Sequence, residues 1–194
     1  NILPPDLKRL VGLPRLKTLN LPGPMWNPRS GATIDYSREL RYLAAIDTLE
    51  KLTFSYTFLE SIKFHDEGLE QIASLGQSLK SLSLENTMVR GHNLAPFTHL
   101  EELDLASCPV DDDGMQQMQG MRNLRRLLLS DALISDRGMA YIRELKEMEH
   151  LDLSGTKITD AGVAQLRELT RLRKLNLRAA DLSDQGIRQL LHLP

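Results

Sequence analysis

Leu151-Asp-Leu-Ser-Gly-Thr-Lys-Ile-Thr-Asp-Ala-Gly162 is followed 24 residues later by Leu175-Asn-Leu-Arg-Ala-Ala-Asp-Leu-Ser-Asp-Gln-Gly186. The same distance upstream stands Leu127-Leu-Leu-Ser-Asp-Ala-Leu-Ile-Ser-Asp-Arg-Gly138. A fixed period in this range is the signature of stacked repeats. Within each unit the hydrophobic period switches. Leu-x-Leu alternates with period two and reads as a short strand with one buried face. Downstream, Gly162-Val163-x-x-Leu166-x-x-Leu169 reads as a helix with one apolar stripe. Between them, Thr159-Asp160, Ser135-Asp136, Ser183-Asp184 and Asp111-Asp112 carry helix N-cap chemistry, and the Asp suits the positive helix end.

Working outward, Leu-x-x-Leu-x-Leu recurs as Leu16/Leu19/Leu21, Leu49/Leu52/Phe54, Leu79/Leu82/Leu84, Leu100/Leu103/Leu105, Leu124/Leu127/Leu129, Met148/Leu151/Leu153 and Leu172/Leu175/Leu177. The central leucines are 33, 30, 21, 24, 24 and 24 residues apart. The last three intervals are regular, the first two are stretched and the third is short. A strand repeated through helical crossovers gives a parallel sheet on one side and helices on the other. No single unit can bury its leucines alone, so stacking supplies the core.

The chain resembles leucine-rich repeat proteins over essentially its whole length. Its Leu-x-x-Leu-x-Leu-x-x-[Thr/Cys/Ala]-x-[Ile/Val/Leu]-[Thr/Ser/Asp]-Asp-x-Gly form is similar to the bacterial and the cysteine-containing, ribonuclease-inhibitor-like subclasses. The resemblance implies an α/β solenoid: a right-handed horseshoe with a parallel sheet on the concave face and helices on the convex face. The ladder position, often Asn or Cys in the family, is Thr57, Thr87, Cys108, Ala132, Thr156 and Ala180 here, so a continuous asparagine ladder is absent. Cys108 falls in that ladder and is read as structural. The expectation is one domain over 1–194 of about seven to eight repeats. Both ends fall within a unit and lack an evident polar cap, which suggests a piece of a longer chain or self-association through the repeat ends.

Composition is that of an ordinary soluble, folded chain: net charge -2, 26% charged and 41% hydrophobic residues. No apolar run approaches the roughly 18 residues that a membrane span needs. The near-neutral balance gives no reason to expect nucleic acid. The single cysteine rules out an internal disulfide framework, which fits a reducing, cytoplasmic compartment. No Ser/His/Asp or Cys/His set assembles, and no phosphate-binding glycine motif is present, because the Asp-x-Gly glycines recur once per turn. Asp111-Asp112-Asp113-Gly114 lacks the alternating spacing and distal Glu of a calcium loop. No catalytic residue, metal or cofactor is expected.

Strand alternation fixes the outward-facing residues. With the leucines inside, Glu102/Asp104, Arg126/Leu128, His150/Asp152 and Lys174/Asn176 face the concave side. Seven strands about 4.8 Å apart make a face roughly 30 Å long. Glu102, Asp104, Arg126, His150, Asp152 and Lys174 form a charged patch suited to a protein partner of complementary charge. A second candidate lies in the stretched turns. Of nine aromatic residues, Trp26, Tyr36, Tyr42, Phe54, Tyr56, Phe58 and Phe64 fall there, and Trp26 and Tyr56 are the best hot-spot candidates. The functional expectation is a non-catalytic protein-recognition scaffold. The alternatives are the substrate-recognition arm of a larger enzyme complex, such as a ubiquitin ligase or bacterial effector, and a structural or self-assembling repeat.

Overall fold

The computed structural model describes residues 6–22, 39–55 and 64–193. One parallel sheet runs through it in chain order: β1 (Thr18–Pro22), β2 (Lys51–Ser55), β3 (Ser81–Ser83), β4 (Glu102–Asp104), β5 (Arg126–Leu128), β6 (His150–Asp152) and β7 (Lys174–Asn176). The central leucines stand in one line across it, Leu19, Leu52, Leu82, Leu103, Leu127, Leu151 and Leu175 being successive register partners. Each strand is followed by a sharp turn. Asn86, Ser107, Asp131, Gly155 and Ala179 occupy the same place in five successive turns, all with φ between 56° and 69°.

The crossovers return through short helices: α1 (Leu7–Leu10), α2 (Asp66–Gln71), α3 (Asp112–Gln117), α4 (Asp136–Ile142), α5 (Asp160–Val163) and α6 (Asp184–Leu190), with 3-10 turns such as Leu40–Ala45 and Ala164–Glu168. The shortened interval departs from the expected pattern: the crossover from β3 to β4 contains no helix. Losing three residues relative to the regular interval removes the helical turn. Leu94, Phe97 and Leu100 fill the space beneath as fully buried side chains.

The core is a single column of leucines sandwiched between sheet and helices. Leu127, Leu129, Leu151 and Leu153 are wholly buried, whereas Leu175 and Leu177 of β7 are only half-buried. The difference follows from neighbour number, because a repeat's core residues are covered from both sides along the stack. Thr87, Cys108, Ala132 and Thr156 form the expected buried ladder; Thr57 lies outside the described residues. Cys108 Sγ donates to Leu84 O at 3.0 Å and lies 3.3 Å from Thr87 Oγ1. Burial pushes its thiol above the ordinary range, so it is a packed, protonated group.

The Ser/Thr-Asp-x-Gly segment caps its own helix, as expected. The side chains of Asp111, Ser135, Thr159 and Ser183 accept from backbone N–H groups in the first turns of α3, α4, α5 and α6. The following aspartate has a second task that periodicity does not reveal: it reaches across to the next repeat. Asp112 Oδ1 accepts from Ser135 N (2.8 Å) and Gly138 N (3.0 Å), and its Oδ2 accepts from Ser135 Oγ at 2.7 Å. Asp136 takes Thr159 N at 2.8 Å and Thr159 Oγ1 at 2.6 Å. Asp160 takes Ser183 N at 3.0 Å and the Ser183 hydroxyl. Asp66 holds the amides of Arg90, Gly91 and His92 at 2.9–3.0 Å.

The glycine of the motif makes room for that carboxylate. A Cβ at Gly138 would lie 2.5 Å from Asp112 Oδ1, and one at Gly162 would collide with Asp136 Oδ1 and stand 2.7 Å from Ile158 Cγ2. Each motif is therefore self-complementary between turns: its Asp fits the Ser/Thr amide, hydroxyl and glycine gap of the next. Gly162→Ala is expected to lower stability in urea by about 1–3 kcal/mol through overpacking. Adding Asp136→Ala to the Gly162→Ala protein should cost less than Asp136→Ala alone, because the two share one contact. Full additivity in a double-mutant cycle would contradict the lock.

Candidate functional site

The concave row is the register line Thr18, Lys51, Ser81, Glu102, Arg126, His150, Lys174. The first four positions are polar and mixed. Glu102 is exposed and accepts from Ser81 Oγ at 3.2 Å. The next three are cationic or titratable. Arg126, half-buried, donates from its guanidinium to His150 Nδ1. That bond needs an unprotonated Nδ1, so His150 is neutral when it forms. Burial, then Arg126, then Lys174 hold its pKa below the usual histidine range, against a weaker opposite pull from Asp152. Lys174 is exposed.

The neighbouring row, Asp104, Leu128, Asp152, Asn176, is bound into the backbone. Asp104 Oδ1 accepts from Ala106 N at 3.1 Å, Asp152 Oδ1 from Ser154 N at 2.9 Å, and Asn176 Oδ1 from Arg178 N at 3.1 Å. These are Asx turns, each feeding the left-handed residue that follows. Asp152 is further held by Ser154 Oγ (2.6 Å) and Asn176 Nδ2 (3.0 Å). The two aspartates differ in electrostatics. Burial pushes Asp104 above the usual carboxylate range. At Asp152 burial acts the same way but is outweighed by the Ser154 hydroxyl and amide and by Asn176, so its pKa is lowered.

A third row, outside the strand alternation, is displayed by the sequence at one repeat position. Two residues before each central leucine stand Lys17, Glu50, Lys80, Glu101, Arg125, Glu149 and Arg173, alternating in sign through all seven turns. Lys17 and Lys80 flank Glu50 at 2.5 and 3.0 Å, and Arg125 meets Glu149 at 2.9 Å. Such exposed pairs contribute little each, but with four cations and three anions the row is close to charge-balanced. Between this row and the concave row, over β4 to β7, lies a shallow groove of about 300 Å³.

The acidic run is fully explained by packing. Asp111 caps α3, Asp112 clamps the next turn, and Asp113 pairs with Arg137. Among the aromatic candidates, Phe54 and Phe64 are buried with ring centroids 4.8 Å apart, and Arg41 stands over the half-buried Tyr42 ring at 5.2 Å. Trp26, Tyr36, Tyr56 and Phe58 lie outside the described residues.

A family model described as Leucine Rich repeat matches residues 98–118 and 147–166, and seven register-aligned strands repeat that unit through the structure. The fold is that of a leucine-rich repeat solenoid. No curated protein matches it in sequence. Among solved structures, the repeat array is similar to internalin C2 from Listeria monocytogenes, with 23% identity and a TM-score of 0.65 over 80% of this chain and 62% of that one. It is also similar to another internalin (inlF) from Listeria monocytogenes, with 17% identity and a TM-score of 0.58 over 97% of this chain and 62% of that one. The chain thus spans about 62% of the length of these two solved proteins. Among the described residues, no helix is long and apolar enough to cross a membrane.

The two Asx-turn aspartates give a test with opposite signs. Asp152 has a lowered folded pKa. Its stabilisation is therefore complete above the unfolded value of about 3.9 and is lost as pH falls through the lower folded value. Asp104 has a raised folded pKa, so its charge costs stability at neutral pH and the cost is relieved on acidification. Asp152→Asn is expected to lower the Tm at pH 7 by about 2–4 °C, the equivalent of one or two lost hydrogen bonds. Asp104→Asn, which keeps an acceptor for the Ala106 amide, should leave the Tm unchanged or raise it. Equal losses in both variants by calorimetry would contradict this assignment.

Proposed function

We propose that the chain is a non-catalytic recognition module that binds a protein partner on its concave face, through Glu102, Asp104, Arg126, His150, Asp152 and Lys174. Leucine-rich repeat folds are protein-interaction modules in general. The observation that supports this particular face is the groove over β4 to β7, where charged side chains project from a rigid, register-locked sheet. A sheet that holds its side chains in place loses little ordering entropy on contact. Trp26 and Tyr56 in the stretched turns are proposed as a second contact, since large aromatics dominate binding energies.

A partner recovered by affinity pull-down and mass spectrometry is expected to be lost when Glu102→Arg and Arg126→Glu are combined. The Tm should change little, because surface substitutions away from the core are usually within about 0.5 kcal/mol. Undiminished capture by the folded double variant would remove the concave face from consideration.

A further inference from the structure

The two charged rows bordering the groove obey different rules. On the outer row every cation stands beside an anion at the same position of a neighbouring repeat. On the concave row Arg126, His150 and Lys174 follow one another across β5, β6 and β7 with no carboxylate between them. Like charges on neighbouring strands are destabilising. Here the row is tolerated because His150 is neutral and accepts from Arg126. Of the three carboxylates lining the groove, Glu149 pairs with Arg125 at 2.9 Å, Glu102 accepts from Ser81 Oγ at 3.2 Å, and Glu101 stands just before β4, away from the β5–β7 end. Among the described residues, the side chains of Lys174 and Arg173 make no hydrogen bond or ion pair. Four cations (Arg125, Arg126, Arg173 and Lys174) line the groove with those three carboxylates and a neutral His150, so the lining is net positive in a chain whose net charge is -2.

Building on the concave-face reading, we propose that the groove over β5 to β7 receives an extended acidic peptide segment, with one carboxylate on Arg126 and a second on Lys174, and that His150 between them takes up a proton as the segment binds. The spacing selects the pattern. Arg126 and Lys174 are two strands apart, about 10 Å at the ordinary interstrand distance. In a polyproline-II segment, residues i and i+3 share a face about 9 Å apart. The segment is therefore of the type acidic-x-x-acidic. A nucleic-acid backbone fits less well. It carries closely spaced phosphates without interruption, and these would run onto Glu102 at one end of the groove and onto Glu101 and Glu149 along its wall.

The proton follows from the charges facing His150: Arg126 on β5, Lys174 on β7, Asp152 on its own strand and Glu149 just before it. The cations oppose protonation in the free protein. A partner carboxylate laid over the row offsets them, so the complex holds the proton more tightly than the free protein. By linkage, affinity rises as pH falls through the histidine range. Protonation also ends the Nδ1 acceptance from Arg126 and frees that guanidinium for the ligand.

The test titrates the intact chain with three probes: a proline-rich synthetic peptide carrying Glu at i and i+3, the same peptide with Lys at both places, and oligo-dT. Heat of binding and the His150 ring resonances are followed at about pH 7.5 and 5.5, either side of the ordinary histidine pKa. The Glu peptide is expected to bind, to shift the His150 ring, and to bind about 3–10-fold more tightly at the lower pH. Lys174→Glu should weaken it at least tenfold while circular dichroism shows an unchanged fold. In His150→Gln the affinity should no longer rise with acid. Absence of binding by the Glu peptide, or a stronger response to the Lys peptide or to oligo-dT, overturns the acidic-peptide assignment. Binding of the Glu peptide without pH dependence overturns the proton coupling. The Lys peptide perturbing the same rows would leave the concave-face reading standing, and that reading is decided separately by the reversal at Glu102 and Arg126.

Discussion

The carboxylate of one turn held by the amide and hydroxyl of the next is the contact on which the rest depends. Asp112, Asp136 and Asp160 each close such a lock, and the motif glycine leaves the gap that admits it. The hydrophobic effect drives the leucines together but is non-directional; a leucine column alone would tolerate slippage. Directional hydrogen bonds to a fixed pair of acceptor oxygens do not. They set the phase of each repeat against its neighbour, and so align the central leucines and the outward residues on both sides of them. At Asp160 the Ser183 hydroxyl and amide hold the carboxyl below its usual range, as expected for a charged acceptor of several donors.

That alignment is what makes a surface out of isolated side chains. Arg126, His150 and Lys174 come from units 24 residues apart, yet stand on successive strands because the register is fixed. The Asx turns at Asp104, Asp152 and Asn176 add to the same end by tying each strand's exit to its left-handed turn. The concave face therefore has two layers of polar residues with different work. One row, Asp104, Asp152 and Asn176, closes the backbone; the other presents Arg126, His150 and Lys174 along the groove.

Much of this was legible in the sequence. The Leu-x-x-Leu-x-Leu spacing located all seven strands, because a strand with one buried face must alternate. The caps at Ser135, Thr159 and Ser183 were readable from local chemistry. The inter-repeat role of Asp136 was not, since a contact 23 residues away leaves no local periodic signal; the joint recurrence of Ser/Thr, Asp and Gly was the available clue. The helix expected between β3 and β4 is absent because a 21-residue interval is too short to contain it. The alternating row from Lys17 to Arg173 was in plain view but emerges only when residues are compared at one repeat position. Phe64 belongs to the core beside Phe54, since an irregular turn still needs bulk beneath it.

The central claim is that the cationic end of the concave row, and not the helical back of the solenoid, is the recognition surface. Covalent footprinting of lysines and carboxylates in the intact chain, free and with its captured partner, tests it most directly. Lys174 and Glu102 are expected to lose reactivity in the complex, while Lys146 and Glu168, paired on the helical side at 3.0 Å, keep theirs. Protection of Lys146 and Glu168 with Lys174 and Glu102 unchanged would contradict the account.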